Sequence, residues 1–473
     1  MEASLRHPGY AHFPTPLNLH VPAPHKSPKN PMKIVQITAG AGGRLCGSCL
    51  HDNTLVRALR QRGRDAILLP AYVPTTTDEE NVAEPTVVMG GINVFLQQSL
   101  PLFRHTPRWL DRLFDQPALL RWLSNRTGDT RPADLGPLTV SSLRGEQGHQ
   151  RKEVERLARW LAREVRPDVV HLSNALLLGL ARRIRETTGA AIVVNLSGED
   201  LFIDQLPEPD RTAVFELLVE RAADVDRFVA LNAAYAERMA GMLACERDRI
   251  VVIPHGIDPS GFPAEPPNLA DRRAARGGRQ VLGFLARACR EKGLDQAVRA
   301  VALLVEQGHD VELLAAGATV PAEAAYLADC LALAAERGIA ERVRWLGQID
   351  RAGKLQLFDA IDFFLMPTPV PEAKGIPVIE ALAAGVPVVA SAAGAFPELL
   401  GSGSGQPAGL THRPGDPADL ARVAALLLND PVGAQSLATA GHGRARELHR
   451  AEQMAAAHEQ LYERVRVEAV SQR

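Results

Sequence analysis

Two glutamates with seven residues between them bound the stretch Glu372-Ala-Lys-Gly375-Ile376-Pro377-Val-Ile-Glu380. Pro377 suits the first position of a helix, where its missing N–H costs nothing. Gly375 lets backbone amides approach a ligand, and a helix N-terminus presented this way attracts phosphate. Carboxylates on either side accept hydrogen bonds from sugar hydroxyls. A second candidate reads Arg287-Ala-Cys-Arg-Glu-Lys292-Gly293. Its two cations suit a diphosphate leaving group on which charge grows as a bond breaks. A third is the glycine-rich run Gly40-Ala-Gly42-Gly43-Arg-Leu-Cys46-Gly47-Ser48-Cys49. Leu45 stands where G-x-G-x-x-G needs its last glycine, and the lysine of a Walker A loop is missing. Each segment also has a plain reading: a capped helix with solvated glutamates, a basic surface loop, and a tight turn without a ligand.

Cys46 and Cys49 form a C-x-x-C at a helix start, where thiol pKa values fall. No second C-x-x-C or histidine pair completes a zinc site, so they read as small residues packing a turn, and no metal is expected. His171 ends an apolar strand and is a candidate for the cleft; a structural role is the competing reading.

These segments follow short apolar runs. Runs at Lys33–Thr38, Asp65–Pro70, Asp168–Leu172, Ala191–Asn195, Asp226–Ala230 and Ile250–Ile253 read as strands. So do Gln280–Leu285, Val311–Ala316, Val343–Leu346, Phe363–Met366 and Val388–Ser391. Amphipathic stretches between them make the class α/β, with doubly wound parallel sheets. In such sheets ligands lie beyond the carboxyl ends of strands, where the candidates fall. Pro254–Arg279 holds five prolines and four glycines and reads as a linker. Expected domains are 32–254 and 280–440, joined by 255–279, with a terminal helix over 441–473. Ala418–Val470 reads as helical with a break near Asn429-Asp430-Pro431. Residues 1–31, with seven prolines and four histidines, read as a disordered extension. The segment 95–131 spaces aromatics and leucines at helical intervals with arginines between them. It reads as a helical hairpin, or as an element touching an acceptor or a membrane surface.

Composition narrows the function classes. Lys+Arg 53 against Asp+Glu 55 leaves a net charge of -2, and aromatics make up 5%. A balanced, aromatic-poor chain does not look like a nucleic-acid binder. The five cysteines form no disulfide framework, and no apolar run reaches the roughly 18–20 residues of a membrane span, so a cytoplasmic protein, peripheral at most to the membrane, is expected.

Taken together, Glu-x7-Glu, Arg-x4-Lys-Gly and the N-terminal glycine turn resemble retaining glycosyltransferase family 4. Trp345-Leu-Gly347, Gly385-Val-Pro-Val-Val-Ala390 and Gly394-Ala-Phe-Pro-Glu398 fall in family order. The resemblance implies a GT-B fold, with two Rossmann-like domains facing a cleft and a final helix crossing back to the first. It implies a nucleotide-sugar donor, no cofactor, and Arg287, Lys292 and Glu372 as catalytic residues. Gly43, Gly47, Gly347, Gly375, Ile376 and Glu380 would hold the nucleotide-sugar, Glu380 at the ribose and Gly347 near the base. Ser197 stands where the family often has a histidine that touches the donor sugar; with Glu199 it is a further cleft candidate. Lys374 replaces a common aromatic. The function expected is retaining transfer of a sugar to a glycan, lipid or small-molecule acceptor. The alternatives are a GT-B protein that binds without turnover, or a nucleotide-sugar hydrolase or epimerase.

Overall fold

The computed structural model describes residues 32–40, 46–85, 87–90, 94, 97–98, 132–275, 279–401 and 406–471. The expected extension 1–31, the Gly42-Gly43 turn and all of 95–131 except Gln97 and Gln98 lie outside these residues.

The first domain is built on strands β1 (Lys33–Thr38), β2 (Asp65–Pro70), β3 (Val169–Leu172), β4 (Ala191–Leu196), β5 (Arg227–Ala230) and β6 (Ile250–Val252). They form one sheet in the order β2-β1-β3-β4-β5-β6, and every pairing is parallel. Helices cover both faces: α1 (Gly47–Gln61), α2 (Gly136–Leu143), α3 (Arg151–Trp160), α4 (Ala181–Thr188), α5 (Asp200–Ile203), α6 (Asp210–Ala222) and α7 (Ala233–Met242). Burial on both faces explains why β4 is apolar almost throughout, with all six residues buried.

After α8 (Leu269–Ala275), the second sheet takes β7 (Gln280–Leu285), β8 (Val311–Ala316), β9 (Val343–Trp345), β10 (Phe363–Met366), β11 (Val388–Ser391) and β12 (Leu410–His412). Its order is β12-β11-β10-β7-β8-β9, again all parallel. This is the doubly wound dinucleotide-binding order, and its direction reverses between β7 and β10. The covering helices are α9 (Leu294–Glu306), α10 (Ala324–Glu336), α11 (Arg351–Ala360), α12 (Ile376–Ala383), α13 (Phe396–Leu399), α14 (Pro417–Asn429) and α15 (Pro431–Leu448). The last helix is α16 (Ala451–Ser471).

The expected strands are all present, with ends shifted by no more than a residue or two. Edge strand β12 was not expected; Leu410-Thr-His412 has a single apolar residue, lies between Gly409 and Pro414, and so carries no apolar run. The expected linker is shorter than its turn chemistry suggested. Leu269, at the start of α8, packs on the second domain's core, leaving the stretch around His255–Asp258 as the crossing. The C-terminal region breaks a second time, at His449-Arg450, after which α16 returns to the first domain. Met454, Leu461, Tyr462 and Val465 join Leu55 and Leu59 of α1 in one core cluster.

The two crossings are joined to each other. Ile257 N–H donates to the His449 carbonyl at 2.8 Å, and Ala451 N–H donates to the Ile257 carbonyl at 2.9 Å. A Cβ on Gly256 would lie 2.6 Å from the Arg450 carbonyl oxygen, so only glycine lets the chains approach this closely.

Candidate functional site

The loops after β7 and β10 leave the second sheet on either side of its reversal point. Lys292 comes from the first loop and Glu372 from the second. The Lys292 ammonium pairs directly with Glu372 Oε2. Burial raises the Glu372 carboxyl, but Lys292, its hydrogen bond and then Lys374 outweigh it, and the group lies below its ordinary value. Glu372 is therefore an ionised acceptor at neutral pH. Arg287 is not drawn into this pair. Its Nε sits 3.0 Å from Glu323 Oε1, beyond β8, with the side chain half exposed.

Gly375 is the N-cap of α12 at φ +66. A Cβ there would also meet Leu399 Cδ1 at 2.5 Å, so glycine is required twice over. First-turn amides of a helix lack intrahelical partners. Pro377 has no N–H, and Val378 N–H bonds back to the Gly375 carbonyl at 2.9 Å. That leaves the Ile376 N–H as the first-turn donor at the positive end of the helix dipole. Gly347, at φ +72 just past β9, has open space where a side chain would stand.

Glu380 is 3% exposed on α12. Its Oε1 accepts from Lys354 Nζ at 2.6 Å, and the same ammonium lies 2.5 Å from Asp78 Oδ2. Lys354 belongs to α11 and Asp78 to the first domain, so one buried lysine ties Glu380 across the domain boundary. Burial raises the Glu380 carboxyl, only partly offset by Lys354. Beside it, Arg351 of α11 reaches Glu79 at 3.5 Å, and Arg57 of α1 pairs with Glu79 at 3.1 Å and Asp258 at 2.7 Å. The sequence reading missed this network. A lysine on an amphipathic helix reads as solvated, and no local pattern announces its burial.

The loop carrying Glu372 also touches the first domain. Asn232 donates to the Ala373 carbonyl at 2.8 Å, and Lys374 donates to the Ser197 carbonyl. Ala373 packs into the first domain's core. A Cβ on Gly47 would lie 3.4 Å from Lys374 Cδ and 3.5 Å from Ile376 Cδ1, so the start of α1 faces the same loop. Ser197 therefore stands at the boundary, its hydroxyl donating to the Ser173 carbonyl at 3.1 Å. Glu199 has a scaffolding geometry. Its two oxygens accept from Ala175 N–H at 2.9 Å and Ser197 N–H at 2.6 Å, tying the loops after β3 and β4 together.

His171 does not line the cleft. It is fully buried, with Nδ1 2.7 Å from the Tyr462 hydroxyl and its ring beside His458 of α16. Of the two readings of this strand-end histidine, cleft or structural, its place on the face that α16 covers fits the structural one. Gly43 lies outside the described residues. Among the described residues, no group of three or more His, Cys, Asp or Glu is arranged to hold a metal ion. No described helix is long and apolar enough to cross a membrane.

A cavity of about 1180 Å3 lies elsewhere, lined by Leu269, Gln280, Asp362, Phe363, Gln435 and Arg444. It opens at the amino ends of β7 and β10. Ligands of parallel sheets sit at the carboxyl ends, so the loops around Lys292 and Glu372 remain the candidate site.

Residues 267–444 match the family model described as glycosyl transferases group 1, and residues 123–260 match the model for glycosyltransferase family 4. The chain belongs to glycosyltransferase family 4. A 2-deoxystreptamine glucosyltransferase of Streptomyces kanamyceticus is 31% identical over 186 residues, covering 38% of this chain and 46% of that protein. A D-inositol 3-phosphate glycosyltransferase of Nocardia farcinica is 31% identical over 183 residues, covering 38% of this chain and 40% of that protein. The alignment thus spans less than half the length of these two curated relatives. Among solved structures, the sucrose-phosphate synthase of Thermosynechococcus elongatus superposes with TM-score 0.66 at 19% identity, covering 92% of this chain and 99% of that one. Anabaena HepE, solved in complex with UDP-glucose, superposes with TM-score 0.59 at 16% identity, covering 93% and 100%. These likenesses establish the GT-B fold of this family 4 glycosyltransferase: two parallel six-stranded domains and a last helix returning to the first.

Proposed function

We propose that the protein transfers a sugar from a nucleoside-diphosphate sugar to an acceptor hydroxyl, with retention of anomeric configuration. One observation carries the reading: the Lys292–Glu372 pair lies at the sheet's reversal point, its glutamate on the loop that leads into the first-turn amide of α12. The diphosphate rests on the Ile376 amide and Lys292, with Arg287 as a second cation on the same loop. Glu372 accepts from hydroxyls of the donor sugar, Glu380 from the ribose, and backbone near Gly347 faces the base. Acceptor attack comes from the face the leaving group vacates. The departing phosphate oxygen takes the acceptor's proton as Lys292 stabilises its growing charge. HepE was solved with UDP-glucose, which favours a uridine donor. The names of the curated relatives favour a small polyhydroxylated ring as acceptor. The basic, aromatic composition of the segment 95–131 suits contact with an acceptor or a membrane surface.

The test is nucleoside-diphosphate release from a panel of UDP-, GDP- and ADP-sugars, with and without cyclitol and aminocyclitol acceptors. Acceptor-dependent release is expected. Lys292→Met should lower kcat about a hundred- to thousandfold in a folded protein. Release that ignores the acceptor would make the protein a hydrolase. Binding without release would make it a receptor.

A further inference from the structure

Helix α7 of the first domain is capped from both sides of the cleft. Its own N-cap residue, Asn232, is 2% exposed and accepts the Tyr235 N–H on Oδ1 at 2.8 Å. The amide nitrogen of the same side chain donates across the boundary to the Ala373 carbonyl at 2.8 Å. The first amide of the helix, Ala233 N–H, donates to Glu398 Oε2 at 2.8 Å. Glu398 belongs to α13 of the second domain, so a carboxylate from across the cleft satisfies a first-turn donor that intrahelical bonding leaves free. Its negative charge there lies at the positive end of the α7 dipole.

Both contacts lead to Glu372. Ala373 is its neighbour in the chain. Helix α13 grips its backbone from the other side: Ala395 N–H donates to the Glu372 carbonyl at 2.7 Å, and a Cβ on Gly394 would collide with that same oxygen. A Cβ on Gly375 would meet Leu399 and Phe396, so α13 also backs the start of α12. Arg444 of α15 donates to the Glu398 carbonyl at 2.8 Å and fixes α13 to its own domain. The Glu372 loop and α13 therefore form one unit, and that unit docks on the start of α7 at two points.

On the reading of the site given above, we propose that Asn232 and Glu398 are positioning residues of the sugar transfer. Together they seat the Glu372 loop in a socket at the N-terminus of α7 and so hold Glu372 and its partner Lys292 in register with the first domain. The nucleotide contacts of that reading, the Ile376 amide, Lys292 and Glu380, all come from the second domain and do not need the socket. Alignment of the reacting groups across the cleft does need it. Losing the socket therefore lowers turnover far more than nucleotide affinity.

Two substitutions separate this role from plain stability. Asn232→Asp keeps an oxygen for the Tyr235 N–H, and aspartate caps a helix as well as asparagine does. It cannot donate to the Ala373 carbonyl, and it sets a second negative charge beside Glu398. Glu398→Ala removes the cap that comes from the second domain, whereas Glu398→Gln keeps an oxygen for the Ala233 N–H.

The full-length variants are compared with the parent by four measurements: steady-state release of nucleoside diphosphate, calorimetry with UDP, denaturant midpoint, and amide exchange over 230–236 and 370–376. Asn232→Asp and Glu398→Ala should each lower kcat about ten- to hundredfold, with the donor KM and the Kd for UDP changed by no more than about twofold. Asn232→Asp should keep the parental midpoint, both segments should exchange faster in both variants, and Glu398→Gln should recover part of the kcat. Parental kcat in both variants would overturn the positioning role. So would a loss of kcat that only follows the midpoint, or one matched by an equal loss of UDP affinity. A parent that releases nothing from any sugar donor would refute the reading of the site and the link to turnover with it. Unchanged exchange at both segments would refute the socket itself, whatever the kinetics show.

Discussion

Replacing Lys354 by methionine isolates what one buried ammonium does between the domains. Asp78 Oδ2 and Glu380 Oε1 lie 2.5 and 2.6 Å from its Nζ, and both carboxylates are almost wholly buried. The two oxygens are therefore at most about 5 Å apart, and two unit charges at that separation repel by about 3 kcal/mol at an effective dielectric constant of 20. Removing one partner of a buried ion pair typically costs about 3–5 kcal/mol. Lys354→Met should lose stability in that range at pH 8. Glu380 is already raised by burial, and losing Lys354 raises it further. A carboxyl with a raised folded-state pKa destabilises once pH climbs through that pKa. The deficit should therefore be large at pH 8 and shrink toward pH 5. The strain can also escape by separating the domains. Denaturant midpoints and small-angle scattering should be measured together, expecting either a lower midpoint or a larger radius of gyration. Asp78→Asn in the Lys354→Met background should recover part of the loss, because one of the facing charges is gone. If Lys354→Met lost less than about 1 kcal/mol at pH 8, with unchanged dimensions and no pH dependence, the lysine would not be carrying the boundary.

Gly375→Ala forces a side chain into the left-handed region and against Leu399. It should cost about 1–3 kcal/mol in denaturant stability and weaken UDP binding by calorimetry, because the α12 amides must shift. The histidines beneath α16 predict acid sensitivity. Burial lowers His449 and His458 to about 4. As pH falls from 7.5 to 5 the unfolded chain takes up protons that the folded one refuses, so each should remove about 2 kcal/mol of stability. His171, His51 and Tyr462 pack beside His458, and Asp52 acts on Tyr462. His458→Leu should flatten the slope of urea midpoint against pH, and an unaltered slope would exclude His458 from the effect.

Strands were legible because parallel strands buried on both faces are written as continuous apolar runs, such as Phe363–Met366; their order in the sheet, and so its reversal point, was not. The α12 turn was legible because Gly375-Ile376-Pro377 announces a helix start through backbone restrictions that act locally. Lys354 and Asp78 were not, because their pairing joins residues far apart in sequence and charge alone predicts solvent. The sequence left His171 between cleft and core because a strand end shows where a residue lies along a strand but not which face it takes. The break at His449-Arg450 was missed for a related reason: no proline or glycine marks it, and it exists to let Arg450 run beside Ile257.

That pairing bears on how the two domains move. Two-domain proteins joined by one tether can twist, slide and bend about it. Here the outward and returning chains cross side by side and are stitched by Ile257–His449 and Ala451–Ile257 bonds, so twisting and sliding would have to shear both. The remaining soft motion is a swing about the line of the crossing, as with a door on two pins. The Lys354 bridge, the Asn232–Ala373 bond and the Lys374–Ser197 bond all span the same boundary, so a swing that opens it has to break all three.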